Sequence, residues 1–96
     1  MRLVLRRAAK LDLVEAYRWY EEQRPGLGES FRAEVKAVLA TLQAHPQLFP
    51  RVGPRIRRAT TGQFPYGIFY LIDGETIRVL AILHRARDPE IWRSRR

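Results

Sequence analysis

The sequence contains no cysteine, only two histidines and only ten acidic residues against eighteen basic ones. Without cysteine the chain has neither a disulfide nor a thiolate metal site, and it lacks a thiol nucleophile. The histidines, His45 and His84, have no partner ligand near them in sequence, so we expect no metal site. Ser30 and Ser94 lie outside any glycine-flanked nucleophile turn, and no glycine-rich loop follows a strand. We therefore expect no cofactor.

Apolar runs are short throughout the chain. The N-terminal segment MRLVLRRAAK has only three consecutive apolar residues before further arginine, so it resembles neither a signal peptide nor a membrane span. We therefore expect a soluble cytoplasmic protein that does not bind membranes. No repeat, linker or low-complexity tract divides the sequence. Residues 1–96 are expected to form one domain, which is large enough to bury a core without cross-links.

Positive charge is the dominant property of the composition. The net charge is +8, and sixteen of the eighteen basic residues are arginine. Residues 51–96 carry ten basic and four acidic side chains, whereas residues 1–50 carry eight and six. This excess predicts attraction to a polyanion or to an acidic protein surface.

Two amphipathic helices are predicted in the first half of the chain, from Ala8 to Arg24 and from Leu27 to Ala44. Pro25-Gly26 ends the first helix, and helices joined by so short a turn form an antiparallel hairpin. The prolines of the following segment, HPQLFPRVGP, predict a loop. We expect Leu48 and Phe49 to fold back from this loop onto the core.

Segments with a period of two predict strands. They are RLVLR at the N-terminus and then RIRRAT, YGIFYLI and ETIRVLAIL. Asp73-Gly74 is the favoured pair of a type I′ turn, so the last two segments should form a hairpin. A two-residue loop at this pair places Ile72 opposite Glu75 and Tyr70 opposite Ile77.

The predicted hairpin has two different faces. Ile68, Tyr70, Ile77 and Val79 share one face, which suits packing under the helices. The other face carries Gly67, Phe69, Arg78 and Leu80, with Ile82 and His84 following in phase. Because no further layer of chain remains to cover it, this second face is a candidate partner site. The alternative is that the final segment of the chain covers it.

Asp88-Pro89 predicts the start of a short last helix, with Asp88 as the N-cap and Pro89 at the first helical position. The complete order is then a strand, an antiparallel helical hairpin, a three-stranded antiparallel meander and a short C-terminal helix. This order defines an α+β fold.

Arginine also dominates the candidate functional residues. The set comprises Arg55, Arg57, Arg58, Arg78, Arg85 and Arg87, with His84 and Trp92 nearby in sequence. Arginine matches phosphate with a planar fork, and both arginine and tryptophan stack on bases. The set suits nucleic acid and an acidic protein segment equally well. The alternative is a solvated polar face with Trp92 in the core.

Several segments, in their order and spacing, resemble the RelE/ParE superfamily of toxins from bacterial type II toxin–antitoxin systems. They are DLVEAYRWYEEQRPGLGESFRAEV, HPQLFP, RRATTGQFPYGIFYLI and VLAILHRARDPEIWRSR. The resemblance covers about residues 3 to 95. It implies the same fold, a helical hairpin against a small antiparallel sheet. It also implies a cognate antitoxin whose acidic C-terminal segment wraps the toxin in a hetero-oligomer.

The resemblance implies two different mechanisms. RelE-like members cleave mRNA on the ribosome with basic residues and a C-terminal tyrosine. In this chain the family's arginine position falls on Gly67 and the tyrosine position on Trp92, so two parts of that set are missing. A nuclease would have to rely on His84, with Arg58 and Arg85. ParE-like members inhibit DNA gyrase without a catalytic set, and the arginine-rich C-terminus resembles that branch more closely.

We therefore expect a ParE-like, growth-inhibiting toxin that binds DNA gyrase as its target and is not an enzyme. The residues expected to bind the target are Arg57, Arg58, Arg78, Arg85, Arg87 and Trp92. Those expected to bind the antitoxin are Phe69, Arg78 and Leu80. The alternatives are a ribosome-dependent mRNA endonuclease and a non-toxic basic adaptor with the same fold.

Overall fold

The computed structural model describes residues 1–95 and has the α+β class predicted from the sequence. The elements in chain order are β1 (Arg2–Leu5), α1 (Arg7–Gln23), α2 (Leu27–Ala44), β2 (Arg51–Gly53), β3 (Ile56–Thr60), β4 (Tyr66–Asp73), β5 (Thr76–His84) and α3 (Glu90–Arg93). The five strands form one sheet in the order β1-β5-β4-β3-β2. All neighbours are antiparallel except β1, which runs parallel to β5.

A tight turn joins the two helices of the predicted hairpin. Gly26 has a φ of 90°, which other residues rarely adopt, and the Glu21 carboxylate accepts the N–H groups of Gly26 and Gly28 at 2.9 Å. A Cβ on Gly28 would lie 2.7 Å from the Tyr17 carbonyl oxygen. The close approach of the two helices therefore requires glycine at position 28.

The helices cover one face of the sheet, and the main core lies between them. Ile68, Tyr70, Ile77 and Val79 are fully buried in this core, which confirms the predicted inward face of the hairpin. From the helices, Phe31, Val35 and Leu42 are its largest fully buried side chains. The Tyr70 hydroxyl donates to the Pro46 carbonyl at 2.7 Å, so its polar end is satisfied within the core.

The segment predicted as a loop after α2 contains a short strand, β2. Its flanking prolines, Pro50 and Pro54, suggested a loop, but a short edge strand tolerates proline at its ends. Phe49 packs against the main core as expected. The same expectation for Leu48 is wrong, because its side chain is 63% exposed.

The register of the β4–β5 hairpin differs from the prediction by two residues. Ile72 pairs with Ile77 and Tyr70 with Val79, because the two loop residues are Gly74 and Glu75 rather than Asp73 and Gly74. Of these loop residues only Gly74 has a positive φ, 62°, as in a type II′ turn, whereas type I′ needs two. A shift of two residues keeps every side chain on its face, which is why the inward face was still predicted correctly.

A β-bulge in β5 changes which residues face outward. Tyr70 pairs with Val79 but Phe69 pairs with Ala81, so Leu80 is an extra residue in the strand. Beyond it the alternation reverses, and Ile82 lies in the main core. The prediction that Ile82 and His84 lie on the second face is therefore wrong. Strand alternation could not show this, because no local pattern in the sequence signals the bulge.

The second face of the sheet is covered by the end of the chain. Trp92 and Ile91 of α3 pack over a second apolar cluster that includes Phe69, Leu80 and Leu83. The Trp92 and Phe69 rings stack with centroids 5.1 Å apart and planes 13° apart. Phe69 is only 7% exposed and Leu80 is fully buried. The expectation of an open sheet face is thus wrong for this conformation, and the stated alternative, a covering C-terminal segment, is observed.

Candidate functional site

An open groove of about 540 Å³ lies beside α3, at the side of the sheet where β3 and β5 end and β4 begins. The basic residues that line it are Arg58, His84, Arg85 and Arg87, and no acidic residue lines it. The four ion pairs among residues 1–95 do not involve Arg58, Arg85 or Arg87. The groove therefore keeps its positive charge for an external anion.

One wall of the groove is the loop between β3 and β4, residues 61–65. The Thr61 hydroxyl bonds to the Phe64 carbonyl inside this loop. From α2, the Glu34 carboxylate accepts the N–H groups of Gln63 and Phe64 at 2.7 and 3.1 Å. These contacts hold the wall in place before any ligand arrives.

Gly67 of β4 pairs with Thr60 of β3 and lies under the side chain of Arg58, which pairs with Phe69. A Cβ at Gly67 would come within 3.1 Å of the Arg58 Cδ and 3.2 Å of the Phe69 ring. The absence of a side chain lets the Arg58 stem lie flat across the sheet. An arginine at position 67, which the nuclease pattern needs, would require the Arg58 stem and the Phe69 ring to shift by a few tenths of an ångström.

Trp92 forms the apolar end of the groove. Its ring is 6% exposed, stacks on Phe69 and lies 3.4 Å from the position of a Cβ on Gly53. The Arg93 guanidinium lies 5.3 Å from the ring centroid, within cation–π range. Trp92 therefore shapes the site mainly by packing.

The predicted start of α3 is wrong by one residue, because Pro89 is the N-cap and Glu90 the first helical residue. Asp88, one residue before the N-cap, still accepts the Glu90 N–H through its Oδ1 at 2.9 Å. This cap sets the direction in which the chain leaves the groove and passes Trp92.

An ion pair holds the C-terminal segment against α1. Arg95 donates to the two carboxylate oxygens of Asp12 at 2.6 and 3.3 Å, and to the Leu80 carbonyl at 3.3 Å. Asp12 also accepts the Ile82 N–H at 3.0 Å, at the part of β5 that β1 does not reach. The Asp12 side chain is 12% exposed. The pair thus joins α1, β5 and the end of the chain.

His84 lies at the end of β5 between the groove and a smaller cavity beside α1. Its Nδ1 accepts the Ala86 N–H at 3.0 Å, and its ring contacts Tyr66 edge to face. A neutral imidazole with an acceptor at Nδ1 carries its proton on Nε2. The outward nitrogen is therefore a hydrogen-bond donor. In this arrangement the Nε2–H of His84 can donate a hydrogen bond to an anion.

Tyr66 is the remaining hydroxyl of chemical interest in the groove. Burial raises the pKa of Tyr66 above its usual value of 10.0, and the Arg87 charge opposes this only in part. The phenol is therefore protonated at neutral pH, and like His84 it can donate a hydrogen bond. Together these groups suit anion binding better than base catalysis.

Two of the arginines expected to bind the target lie elsewhere. Arg57 points to the helix side of the sheet, because neighbouring strand residues face opposite ways, and it donates to the Phe49 carbonyl at 2.7 Å. Arg78 pairs with Asp73 at 3.1 Å near the hairpin turn. The groove thus brings together Arg58, Arg85, Arg87 and Trp92, while Arg57 and Arg78 stay outside it. Of the residues expected to bind an antitoxin, Phe69 lines the groove and Leu80 does not.

Sequence reasoning did not find Asp12, Glu34 or Tyr66 as parts of the site. Asp12 is 83 residues from Arg95, and Glu34 is 30 residues from Phe64. No local pattern reveals contacts over such separations. Tyr66 lies in the family segment RRATTGQFPYGIFYLI, and its position at the start of the predicted strand YGIFYLI is the signal that the sequence offers.

Other classes of site are not visible in the described part of the chain. Among residues 1–95, no group of three or more histidine, aspartate or glutamate side chains could hold a metal ion. No helix in that range has both the length and the apolar character needed to cross a membrane.

Comparison with known proteins gives one family and one fold. The family model described as "ParE toxin of type II toxin-antitoxin system, parDE" matches residues 3–89. No curated protein matches the chain. A solved structure described as "Chromosomal ParDE TA system from P. aeruginosa" contains a similar chain, with a TM-score of 0.78 and 24% sequence identity. The match covers 88% of this chain and 95% of that chain. At this identity the likeness supports the fold.

Proposed function

This chain belongs to the ParE toxin family of type II toxin–antitoxin systems, and on that premise we propose that it inhibits growth by binding DNA gyrase. The observation that supports the proposal is a basic groove in which the one histidine already accepts a hydrogen bond from the backbone. Arg58, Arg85 and Arg87 supply positive charge, while the Nδ1 of His84 is occupied by the Ala86 N–H. Such a groove favours tight binding of an anionic surface over bond cleavage.

Neutralisation by a cognate antitoxin in the cytoplasm is the second part of the proposal. The net charge of +8 favours an acidic partner, since charge speeds encounter and buried apolar contacts then hold the complex. An acidic segment that is disordered until it binds would gain both kinds of contact at the groove, where arginines adjoin the Phe69 and Trp92 rings.

The experiment that tests target and mechanism uses purified protein in two assays, gyrase supercoiling and translation of a defined mRNA. We expect inhibited supercoiling with intact mRNA. The double variant Arg85→Ala, Arg87→Ala should lose at least about tenfold in potency, because two charge-assisted contacts are removed. Removal of two exposed arginines of the helical hairpin, Arg18→Ala with Arg24→Ala, is the matched control for net charge.

A third variant separates binding from catalysis. His84→Ala should leave inhibition within about tenfold of the parent, because His84 contributes one hydrogen bond. mRNA cleavage that disappears in His84→Ala would instead identify a ribosome-dependent endonuclease with Arg58 and Arg85 in support. A protein that affects neither assay would be the non-toxic adaptor.

A further inference from the structure

A carboxylate lies directly behind the basic groove without lining it. Glu34 of α2 is half-buried, and it takes part in none of the four ion pairs among residues 1–95. Its Oε1 instead accepts the backbone N–H groups of Gln63 and Phe64, at 2.7 and 3.1 Å. Hydrogen bonds to an ionised acceptor are stronger than neutral ones, so this carboxylate ties the loop of residues 61–65 firmly to α2.

An apolar contact anchors the same loop to the helices. Phe64 is buried, and its ring lies edge-on to Phe31 of α2 and Tyr20 of α1, with centroids 5.4 and 4.8 Å away. Phe31 and Glu34 are three residues apart and so share one face of α2. Two neighbouring positions on one helix face therefore hold the loop, one through a ring and one through a carboxylate.

The loop in turn holds the backbone of Arg85. The Arg85 N–H donates to the Pro65 carbonyl at 2.9 Å, immediately after β5 ends at His84. Pro65 follows Phe64 directly, and its ring fixes φ, so its carbonyl has little freedom relative to the N–H that Glu34 holds. The Arg85 side chain is exposed and lines the groove. Its backbone thus takes its position from the loop, and through the loop from Glu34.

We infer that Glu34 is a positioning residue of the basic groove, which acts on a bound anion through the loop of residues 61–65 and Arg85. This role has an effect opposite in sign to that of its charge. A carboxylate near an anion site opposes binding by Coulomb repulsion, so removing it for charge alone would tighten binding. Removing a positioning residue weakens binding instead, because Arg85 no longer meets the anion together with Arg58 and Arg87. The inference rests on the proposed function in taking the groove as the surface that binds the target.

The first test is amide hydrogen exchange, measured by NMR on ¹⁵N-labelled parent and Glu34→Ala proteins. The Arg85 amide should exchange at least about tenfold faster in Glu34→Ala, because its acceptor on the loop is no longer held. The control is the Arg6 amide, which donates to the Val79 carbonyl at 3.0 Å beside β1. Its exchange should change by less than about twofold, since the loosening is local rather than global.

The second test is binding of inorganic pyrophosphate, followed through the amide signals of Arg85 and Arg87. Glu34→Ala should weaken binding at least about threefold, although it raises the net charge by one. Glu22→Ala, at an exposed position of α1, makes the same change in charge and should bind as tightly as the parent or slightly more tightly. Glu34→Gln keeps an acceptor oxygen for the two N–H groups and should bind within about twofold of the parent. A merely structural role of Glu34 would lower the melting temperature and leave the affinity of the folded protein unchanged.

Three results would overturn the inference. They are Arg85 exchange that rises no more than Arg6 exchange, pyrophosphate affinity in Glu34→Ala that equals that of Glu22→Ala, and a parent protein that does not bind pyrophosphate. Neither test uses gyrase, so the outcomes are separable from that of the supercoiling assay. A chain that meets both expectations but leaves supercoiling intact disproves only the gyrase proposal. A chain that inhibits gyrase but shows no effect of Glu34→Ala disproves only the positioning role.

Discussion

The ion pair between Asp12 and Arg95 offers the sharpest test of how the C-terminal segment is held over the sheet. The two side chains are 12% and 24% exposed, with a shortest N–O distance of 2.6 Å. Exposed pairs contribute about 0–1 kcal/mol, whereas breaking a buried pair costs about 3–5 kcal/mol. For this half-buried pair we expect a coupling energy of about 1–2 kcal/mol.

The assay is urea unfolding of four proteins, the parent, Asp12→Ala, Arg95→Ala and the double variant, combined in a double-mutant cycle. Asp12→Ala should be the more damaging single change, at about 2–3 kcal/mol, because it also leaves the Ile82 N–H without its acceptor. Arg95→Ala should cost less, since the Asp12 carboxylate keeps that N–H.

A matched cycle on Glu29 and Arg32 is the control, because these side chains are 59% and 64% exposed at a separation of 3.5 Å. Their coupling energy should be about 0.5 kcal/mol or less. If the Asp12–Arg95 coupling energy does not exceed that of the exposed pair, the ion pair does not hold the C-terminal segment in place.

Three further changes test the packing. Trp92→Ala should lower the free energy of unfolding by about 3–5 kcal/mol, whereas Trp19→Ala, at a ring that is 56% exposed, should cost under about 1.5 kcal/mol in urea unfolding. Gly28→Ala should lower the melting temperature because its Cβ would meet the facing helix backbone, and Gly62→Ala, with no contact nearer than 4.0 Å, should not. Burial raises the pKa of Tyr70 above 10.0, so its stabilising effect is complete below about pH 10 and is lost as the pH rises through the higher folded-state pKa. The parent should therefore lose stability more steeply than Tyr70→Phe in alkaline unfolding titrations, and equal slopes would contradict this.

The groove also bears on the division between binding and cleaving toxins of this fold. The nuclease pattern requires an arginine where this chain has Gly67, and that position is packed under the Arg58 stem. Glycine at this position therefore affects packing as well as charge, because any side chain there would push against the Arg58 stem and the Phe69 ring. The site is built consistently around one basic residue of β3 and two that follow β5.

Much of the architecture follows from short-range pattern alone. The helical period sets α2 at Leu27–Ala44, as predicted, and places α1 within one residue at each end. Alternation along β4 and β5 identified the inward face even though the register was wrong, because a shift of two residues preserves the face. The excess of arginine and the family motifs pointed to an anionic partner without showing which arginines act together.

The sequence by itself thus determined the fold class, the helices, the buried face of the hairpin and the positive charge, since each depends on residues within a few positions of one another. Only the tertiary structure decided that a bulge at Leu80 returns Ile82 to the core and that Trp92 covers Phe69. It also decided that Arg58 lines the groove while Arg57 supports a loop. These outcomes depend on contacts between distant segments, such as Asp12 with Arg95, whose geometry is set by the whole packed chain.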